Sequence, residues 1–425
     1  MGSMTRTSFD PHERRYAGRM AGVRSSAMRD LMAVTERPGM ISLAGGFPWT
    51  AAFPPSLLVE LTERVAREGC AEALQYGPTE GLADLRERLA ARMRAAGTPA
   101  EPADLLVTSG GQQALDLLAR VLLDPGDRVI CEGPTYPGAV PVLMAAQADV
   151  IHVPVDRDGI DPAGLADALE RCERDGRPAK LIYVIPTFQN PSGVALSRER
   201  RKAVIELAVR HDVLVIEDDP YSALRFEGDP LPSLRSMDPD GRVVYVGTLS
   251  KVLSPGLRIG YVAADHAILA KLNLCKQAAD LCSSTLSQRL ACVFLDDPRS
   301  VALLDAQRDT YHARRDALAG ALATELPAGS SWTTPEGGLF LWATLPRGLD
   351  SDDLLVRCLS RQVAFVPGRA AYLDGQGARS LRLNFSAVDE DTLREGARRL
   401  GAVCGEALEL AGALAAPRSH APRPA

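Results

Sequence analysis

Histidine is scarce in this chain. Its 425 residues include six histidines, none at a spacing that would hold a metal ion. None of the eight cysteines forms a C-x-x-C pair, and several sit inside apolar runs. They read as reduced core thiols, which points to a cytoplasmic protein. No apolar run is long enough to span a bilayer, and no signal-peptide pattern is present. A basic field is missing too: 48 Lys+Arg stand against 54 Asp+Glu, a formal net charge of −6. That argues against nucleic acid as a partner. Internal repeats are absent. What remains is ordinary for a globular enzyme, with 46% apolar and 24% charged residues. The length is too great for one compact core and suits two domains.

Against this background one stretch stands apart. TLSKVLSPGLRIG occupies 248–260, between the apolar runs VVYV at 243–246 and IGYV at 259–262. Lys251 is therefore expected on a polar turn between two buried strands. Hydroxyls flank it at Thr248, Ser250 and Ser254, and Arg258 follows. An arbitrary lysine is a solvated surface charge. A desolvated lysine near a second cation has a lowered pKa and can form a Schiff base with an aldehyde. The hydroxyls and Arg258 together suit a phosphate.

Other segments place polar groups where strands end. ISLAGGFP at 41–48 sets Gly45 and Gly46 before a proline, either a plain turn or a loop where backbone approaches a ligand closely. Helical patterns cover 55–68 and 82–96, and between them LQYGPTEG puts Tyr76 on a turn. LLVTSGGQQALDLL at 105–118 runs from a short strand through Gly110, Gly111 and Gln112 into a helix. Such a junction aims free N–H groups and the positive helix end at one point, a ready anion site, but it lacks the G-x-G-x-x-G dinucleotide pattern. A strand at 128–131 leads to EGPTYPG, with Tyr136 on a turn. Strands at 150–155, 180–185, 213–217 and 243–246 alternate with helices such as 162–174 and 197–211. That rhythm predicts a mainly parallel sheet under helices, with ligands beyond the carboxyl ends of its strands. Two of those ends are polar: FQNPSG at 188–193, carrying Asn190, and VIEDDPY at 215–221. The first is a good turn by itself. In the second a carboxylate emerges from a buried strand, which is rare unless it is paired. Helices near 266–280, 284–295 and 298–324 follow, then short strands within 336–342, 363–366 and 381–386. Arg382 faces opposite to Leu381 and Leu383, and a salt-bridged structural arginine is the default reading.

These phrases, in this order, resemble the class I/II, fold-type-I aminotransferases that depend on pyridoxal 5′-phosphate. The likeness is greatest to the branch of 2-aminoadipate and kynurenine aminotransferases. Residues 248–260 match the family's cofactor-lysine motif S-x-S-K-x-x-x-P-G-x-R-x-G, with Thr248 for the first serine, and the resemblance extends over about 26–400. It implies an α/β fold: a large domain, 55–300, on a mainly parallel seven-stranded sheet, and a smaller α+β domain from 41–54 and 301–413. An N-terminal arm, 1–40, would carry a short helix near 26–34, and 414–425 would be a disordered tail.

The resemblance also assigns roles. Lys251 would hold the cofactor. The family's D-x-x-Y pattern selects Asp218, rather than Glu217 or Asp219, for the pyridine nitrogen. Tyr221 and Asn190 would bond the ring oxygen, and Tyr136 would stack on the ring. Gly110, Gly111, Gln112, Thr248, Ser250 and Arg258 would cradle the phosphate, although the family usually has serine at the place of Gly111. Tyr76 would reach the phosphate of a neighbouring subunit, in a homodimer with shared active sites. Arg382 would grip the substrate α-carboxylate, with Asn190, Gly45 and Gly46 bordering it. Ser26 and Arg29 lie three apart, on one helix face, and would meet the substrate side chain. The implied reaction moves the amino group of an L-2-amino acid (2-aminoadipate, leucine or aromatic) to 2-oxoglutarate in ping-pong fashion. A lyase, racemase or specialised biosynthetic enzyme uses the same parts. A transcription regulator with this fold would need a helix-turn-helix, and the roughly forty residues before the Ala-Gly-Gly loop show none.

Overall fold

The computed structural model describes residues 10, 12–22, 31, 35 and 37–415. Ser26 and Arg29 lie outside these residues, as do most of the helix expected near 26–34 and the tail beyond 415. The strands, in chain order, are β1 (Ile41–Ser42), β2 (Leu105–Thr108), β3 (Arg128–Gly133), β4 (Asp149–Asp156), β5 (Gly159–Ile160), β6 (Ala179–Val184) and β7 (Leu214–Asp219). They continue with β8 (Val243–Thr248), β9 (Gly260–Ala263), β10 (Ser331–Trp332), β11 (Phe340–Thr344), β12 (Val363–Ala364), β13 (Val366–Pro367) and β14 (Ser380–Asn384).

The large sheet runs β2-β9-β8-β7-β6-β3-β4-β5. Its pairs from β8 through to β4 are parallel. β9 is antiparallel to both neighbours. The reason is the link before it: residues 249–259 contain only a 3-10 turn, whereas a parallel return needs a longer crossover, usually a helix. The lysine turn is thus the connection that reverses the chain. The seven expected strands are all present, and a correction is needed at one edge. Two-residue β5 folds back on β4 as an eighth strand, and so short a pairing leaves no alternating pattern to read.

Both faces of the sheet are covered, so its central strands carry nearly unbroken apolar runs. Ile182, Val184, Val215 and Val243 pack under the helices Pro162–Arg174 and Arg198–Arg210. Leu181, Tyr183, Ile216, Val244 and Val246 face the helix Gly111–Leu122. Each fully buried aliphatic side chain contributes about 1.5–3 kcal/mol. Asp161 and Ser197 cap the first two helices with side-chain oxygens. The helix expected over 55–68 runs on to Leu74, through a non-helical backbone at Gly69.

A second sheet, β10-β11-β14-β13, is antiparallel throughout. β1 pairs separately with β12, Ile41 opposite Val363. That pairing carries the segment before Gly45 to the C-terminal part of the chain. The helices Arg299–Glu325 and Glu390–Ala415 bury Leu318, Leu322, Leu393 and Leu400 in the same core. Among the described residues no helix is long and apolar enough to cross a membrane.

Candidate active site

The carboxyl ends of β2, β3, β6, β7 and β8 open on one cavity of about 270 Å³. Most of the residues singled out in the sequence line it: Gly46, Gly111, Gln112, Tyr136, Asn190, Asp218, Tyr221, Thr248, Ser250, Lys251, Arg258 and Arg382. They come from segments up to 336 positions apart, Gly46 to Arg382, so the fold alone assembles them.

Lys251 Nζ donates to the Gly46 carbonyl at 2.8 Å. Burial, then the positive charges of Arg382 and Arg258, push its amine down to about 8. Opposite in sign is Asp218, whose carboxyl is pushed up to about 7, chiefly by burial. Its Oδ2 accepts from the Tyr183 hydroxyl at 2.8 Å, which works against that rise. The two neighbouring carboxylates turn away from the cavity, as strand alternation requires. Glu217 accepts from the backbone N–H of Leu234 and Arg235, both at 2.8 Å. Asp219 accepts from the Tyr245 hydroxyl at 2.9 Å and from Ser222 N at 3.0 Å.

Arg382 is fully buried on β14, between β11 and β13. Its Nη1 donates to Asn190 Oδ1 at 2.9 Å and its Nη2 to the Ala44 carbonyl at 2.7 Å. The guanidinium lies over the Phe340 ring, 4.2 Å from the centroid. Desolvation lowers its pKa to about 10. Asn190 Nδ2 in turn donates to the Tyr221 hydroxyl at 3.3 Å. One amide thus joins the arginine to the tyrosine.

At the other end of the cavity Thr248 shapes the lysine turn. Its Oγ1 accepts from Ser250 N at 3.1 Å and donates to the Ile259 carbonyl at 2.9 Å. Arg258 adopts a left-handed backbone, φ +56, and its Nη2 donates to the Ser109 carbonyl at 3.2 Å. Gly110 has φ +81, and a side chain there would run into the Arg258 guanidinium. The positive φ favours glycine, and a side chain would also displace the guanidinium. Gly111 differs: a Cβ there would meet only Val246, at 3.9 Å. Gln112 Nε2 donates to the Gly138 carbonyl at 2.8 Å.

Three of the expected residues do not line the cavity. Gly45 and Gly110 each precede a glycine that does, and Tyr76, expected at a neighbouring subunit's site, is 81% exposed on the surface. Tyr183, Phe340 and the Ala44 carbonyl were not singled out in the sequence. Tyr183 and Phe340 lie inside apolar runs, and a backbone carbonyl leaves no signature at all.

The family described as Aminotransferase class I and II matches residues 41–400. The chain belongs to that family. It sits with the aromatic, 2-aminoadipate and kynurenine aminotransferases. It is 39% identical to aromatic-amino-acid aminotransferase 1 of Thermococcus litoralis, over 94% of this chain and 96% of the relative. The 2-aminoadipate transaminase of Thermus thermophilus is 38% identical, over 90% of this chain and 95% of the relative. Among solved structures, the Pyrococcus horikoshii kynurenine aminotransferase superposes with a TM-score of 0.90 at 39% identity, covering 94% of this chain and 98% of that one. That crystal structure is a complex with pyridoxamine phosphate (PMP).

This aminotransferase depends on pyridoxal 5′-phosphate. Its cavity has the chemistry that cofactor needs. A carboxylate stands among buried neighbours, and an amine of lowered pKa faces the same space. The first N–H groups of the helix Gly111–Leu122 begin at the wall, with Arg258 and Ser250 beside them. Gly110 leaves clear the space that its side chain would contest with Arg258.

Proposed function

We propose that this aminotransferase moves the amino group of an L-2-amino acid, of the 2-aminoadipate, leucine or aromatic type, to 2-oxoglutarate in two successive half-reactions. The observation that carries this reading is the convergence of Lys251, Asp218 and Arg382 on one cavity at the strand ends. When bound, pyridoxal 5′-phosphate supplies an electron sink for the negative charge that develops at the substrate Cα.

The chain's own groups do the rest. Lys251 would anchor the cofactor through its amine and, with that amine free, would take the proton from the substrate Cα. Burial and the two arginines lower its pKa, which suits a base near neutrality. Asp218 would hold the proton on the pyridine nitrogen, with Tyr183 keeping the carboxyl group in place. Tyr221 and Asn190 would serve the ring oxygen, and Tyr136 the ring face. Gly110, Gly111, Gln112, Thr248, Ser250 and Arg258 would surround the phosphate. Arg382 takes the substrate α-carboxylate by a two-pronged hydrogen bond. Asn190 and Ala44 already hold its fork in a fixed plane, so little freedom is lost on binding.

The enzyme would act as a homodimer with shared active sites. Tyr76 and Leu74, two residues before it in the chain, are highly exposed, and Leu286 is exposed on the helix Thr285–Asp296, whose Thr285 bonds the Ala73 and Gln75 carbonyls. Exposed apolar groups gathered in this way support an interface. The division into a large domain, 55–300, and a small one from 41–54 and 301–413 is supported by the β1–β12 pairing. The deciding experiment is a panel of L-amino acids incubated with 2-oxoglutarate and the purified enzyme, with glutamate and the new 2-oxo acid both measured. Racemised or cleaved amino acid without stoichiometric glutamate would replace this reading with another reaction of the same cofactor.

A further inference from the structure

The turn at 109–111 brings the helix start, at Gly111, to the cavity wall. Two consecutive glycines follow Ser109, one of them at φ +81. Glycine backbone is conformationally free, so such a turn stays in one shape only if other groups fix it. Ser109 is held at three atoms. Its N–H donates to Gln113 Oε1 at 2.7 Å, its carbonyl accepts from Arg258 Nη2 at 3.2 Å, and its Oγ donates to Asp280 Oδ2 at 3.2 Å. Gln113 Nε2 donates to the same Asp280 oxygen at 2.8 Å. One carboxylate oxygen therefore ties the residue before the glycines to a residue after them.

The other oxygen of Asp280 faces away from the turn. Oδ1 accepts from Lys276 Nζ at 2.6 Å. Lys276 is fully buried, and Asp280 is a quarter exposed. Asp280 directly follows the helix His266–Ala279, and its own N–H donates to the Lys276 carbonyl at 3.0 Å. The anchor is thus fixed to a helix end and neutralised by a partner. Without Lys276 a bare carboxylate behind the turn would repel an anion in front of it. Neither residue lines the cavity.

We propose that Asp280 is a positioning residue for the cofactor phosphate. Through Ser109 and Gln113 it holds the Gly110–Gly111 turn, and with it the opening N–H groups of the helix Gly111–Leu122, in the shape that receives the phosphate. The proposal rests on the reading above that this turn takes the phosphate.

The test uses the full chain freed of cofactor, titrated spectroscopically with pyridoxal 5′-phosphate and with pyridoxal. Pyridoxal lacks the phosphate and closes largely to a hemiacetal in water, a difference that is the same for every variant, so the change in the affinity ratio from wild type to variant isolates the phosphate. Asp280→Asn keeps an oxygen for Lys276 but turns an NH2 group toward two donors. It should weaken pyridoxal 5′-phosphate binding roughly tenfold and leave pyridoxal within about twofold. Ser109→Ala removes one bond only and should shift the ratio roughly threefold. Equal losses for both ligands, or no loss, would make Asp280 a purely structural residue and overturn the proposal. If Asp280→Asn does not fold, the ratio measured for Ser109→Ala decides alone. If the wild type fails to prefer the phosphorylated ligand, the phosphate reading of the turn falls first. If the wild type discriminates and the variants keep its ratio, only the role of Asp280 falls.

Discussion

Three carboxylates stand in a row at the end of β7, and only Asp218 faces the cavity. Asp218→Asn should fold and lose most activity. The amide can still accept from Tyr183 but carries no charge to hold a proton on the pyridine nitrogen. Loss of one such electrostatic contact in a dry site is worth about 2.7–4 kcal/mol, so kcat should fall roughly a hundred- to a thousandfold. Asp219→Asn preserves an acceptor for Tyr245 and Ser222 and should change kcat by less than about fivefold. Tyr183→Phe removes the hydroxyl that donates to Asp218 and should fall between the two, roughly tenfold. Stability offers a second readout with a definite sign. The folded-state pKa of Asp218, about 7, lies above its ordinary value, so the buried carboxyl favours folding while protonated. That contribution is full below its unfolded pKa and is lost as pH rises through about 7. The Asp218→Asn chain, free of cofactor, should therefore gain in Tm relative to wild type as pH rises from about 4 to about 7, and the difference should level off above that. Steady-state kinetics with saturating cofactor and thermal melts without it measure the two effects separately. Equal kinetic losses at 218 and 219 would show that the wrong carboxylate has been chosen. A pH-independent Tm difference would refute the desolvation argument.

Lys251→Ala should lose the visible absorbance of lysine-bound cofactor together with turnover, and transamination at the wild-type rate would sink the assignment. Arg382→Lys keeps the charge but not the fork that meets Asn190 and Ala44; KM for amino acids should rise at least roughly tenfold, seen in half-reaction titrations. Gly110→Ala forces a methyl group toward the Arg258 guanidinium at φ +81, and should lower both Tm and cofactor affinity, by about 1–3 kcal/mol in melts. Arg29→Ala, if that arginine meets the distal carboxylate, should raise KM for 2-oxoglutarate roughly ten- to a hundredfold and leave leucine or phenylalanine unchanged; equal changes would remove Arg29 from the substrate pocket.

The groups that act and the groups that hold them differ in how they show in the sequence. Asp218, Asn190, Lys251 and Gly110 each interrupt a local pattern: a charge at the end of an apolar strand, an amide beside a proline, a lysine between two buried runs, a glycine before a helix. Those interruptions are what can be read one residue at a time. Tyr183 and Phe340 interrupt nothing. Each sits in an apolar strand that it suits, and its polar or aromatic use appears only with the pairing. Val184 opposite Glu217, and Tyr183 opposite Ile216, set β6 beside β7 so that the tyrosine hydroxyl reaches Asp218, two residues beyond Ile216 and on the same face. Arg382 illustrates the same limit from the other side. Strand alternation gives its direction, but not Asn190 and Ala44 as partners, 192 and 338 positions away. The phosphate turn is the most instructive case. SGGQQ reads as an anion site from its glycines and the helix that follows, yet those glycines are also why it needs an anchor. That anchor, Asp280, stands at a helix end where an aspartate is unremarkable. A glycine-rich turn at a helix start is therefore half of a binding site, and the fixed group behind it has to be sought in the fold.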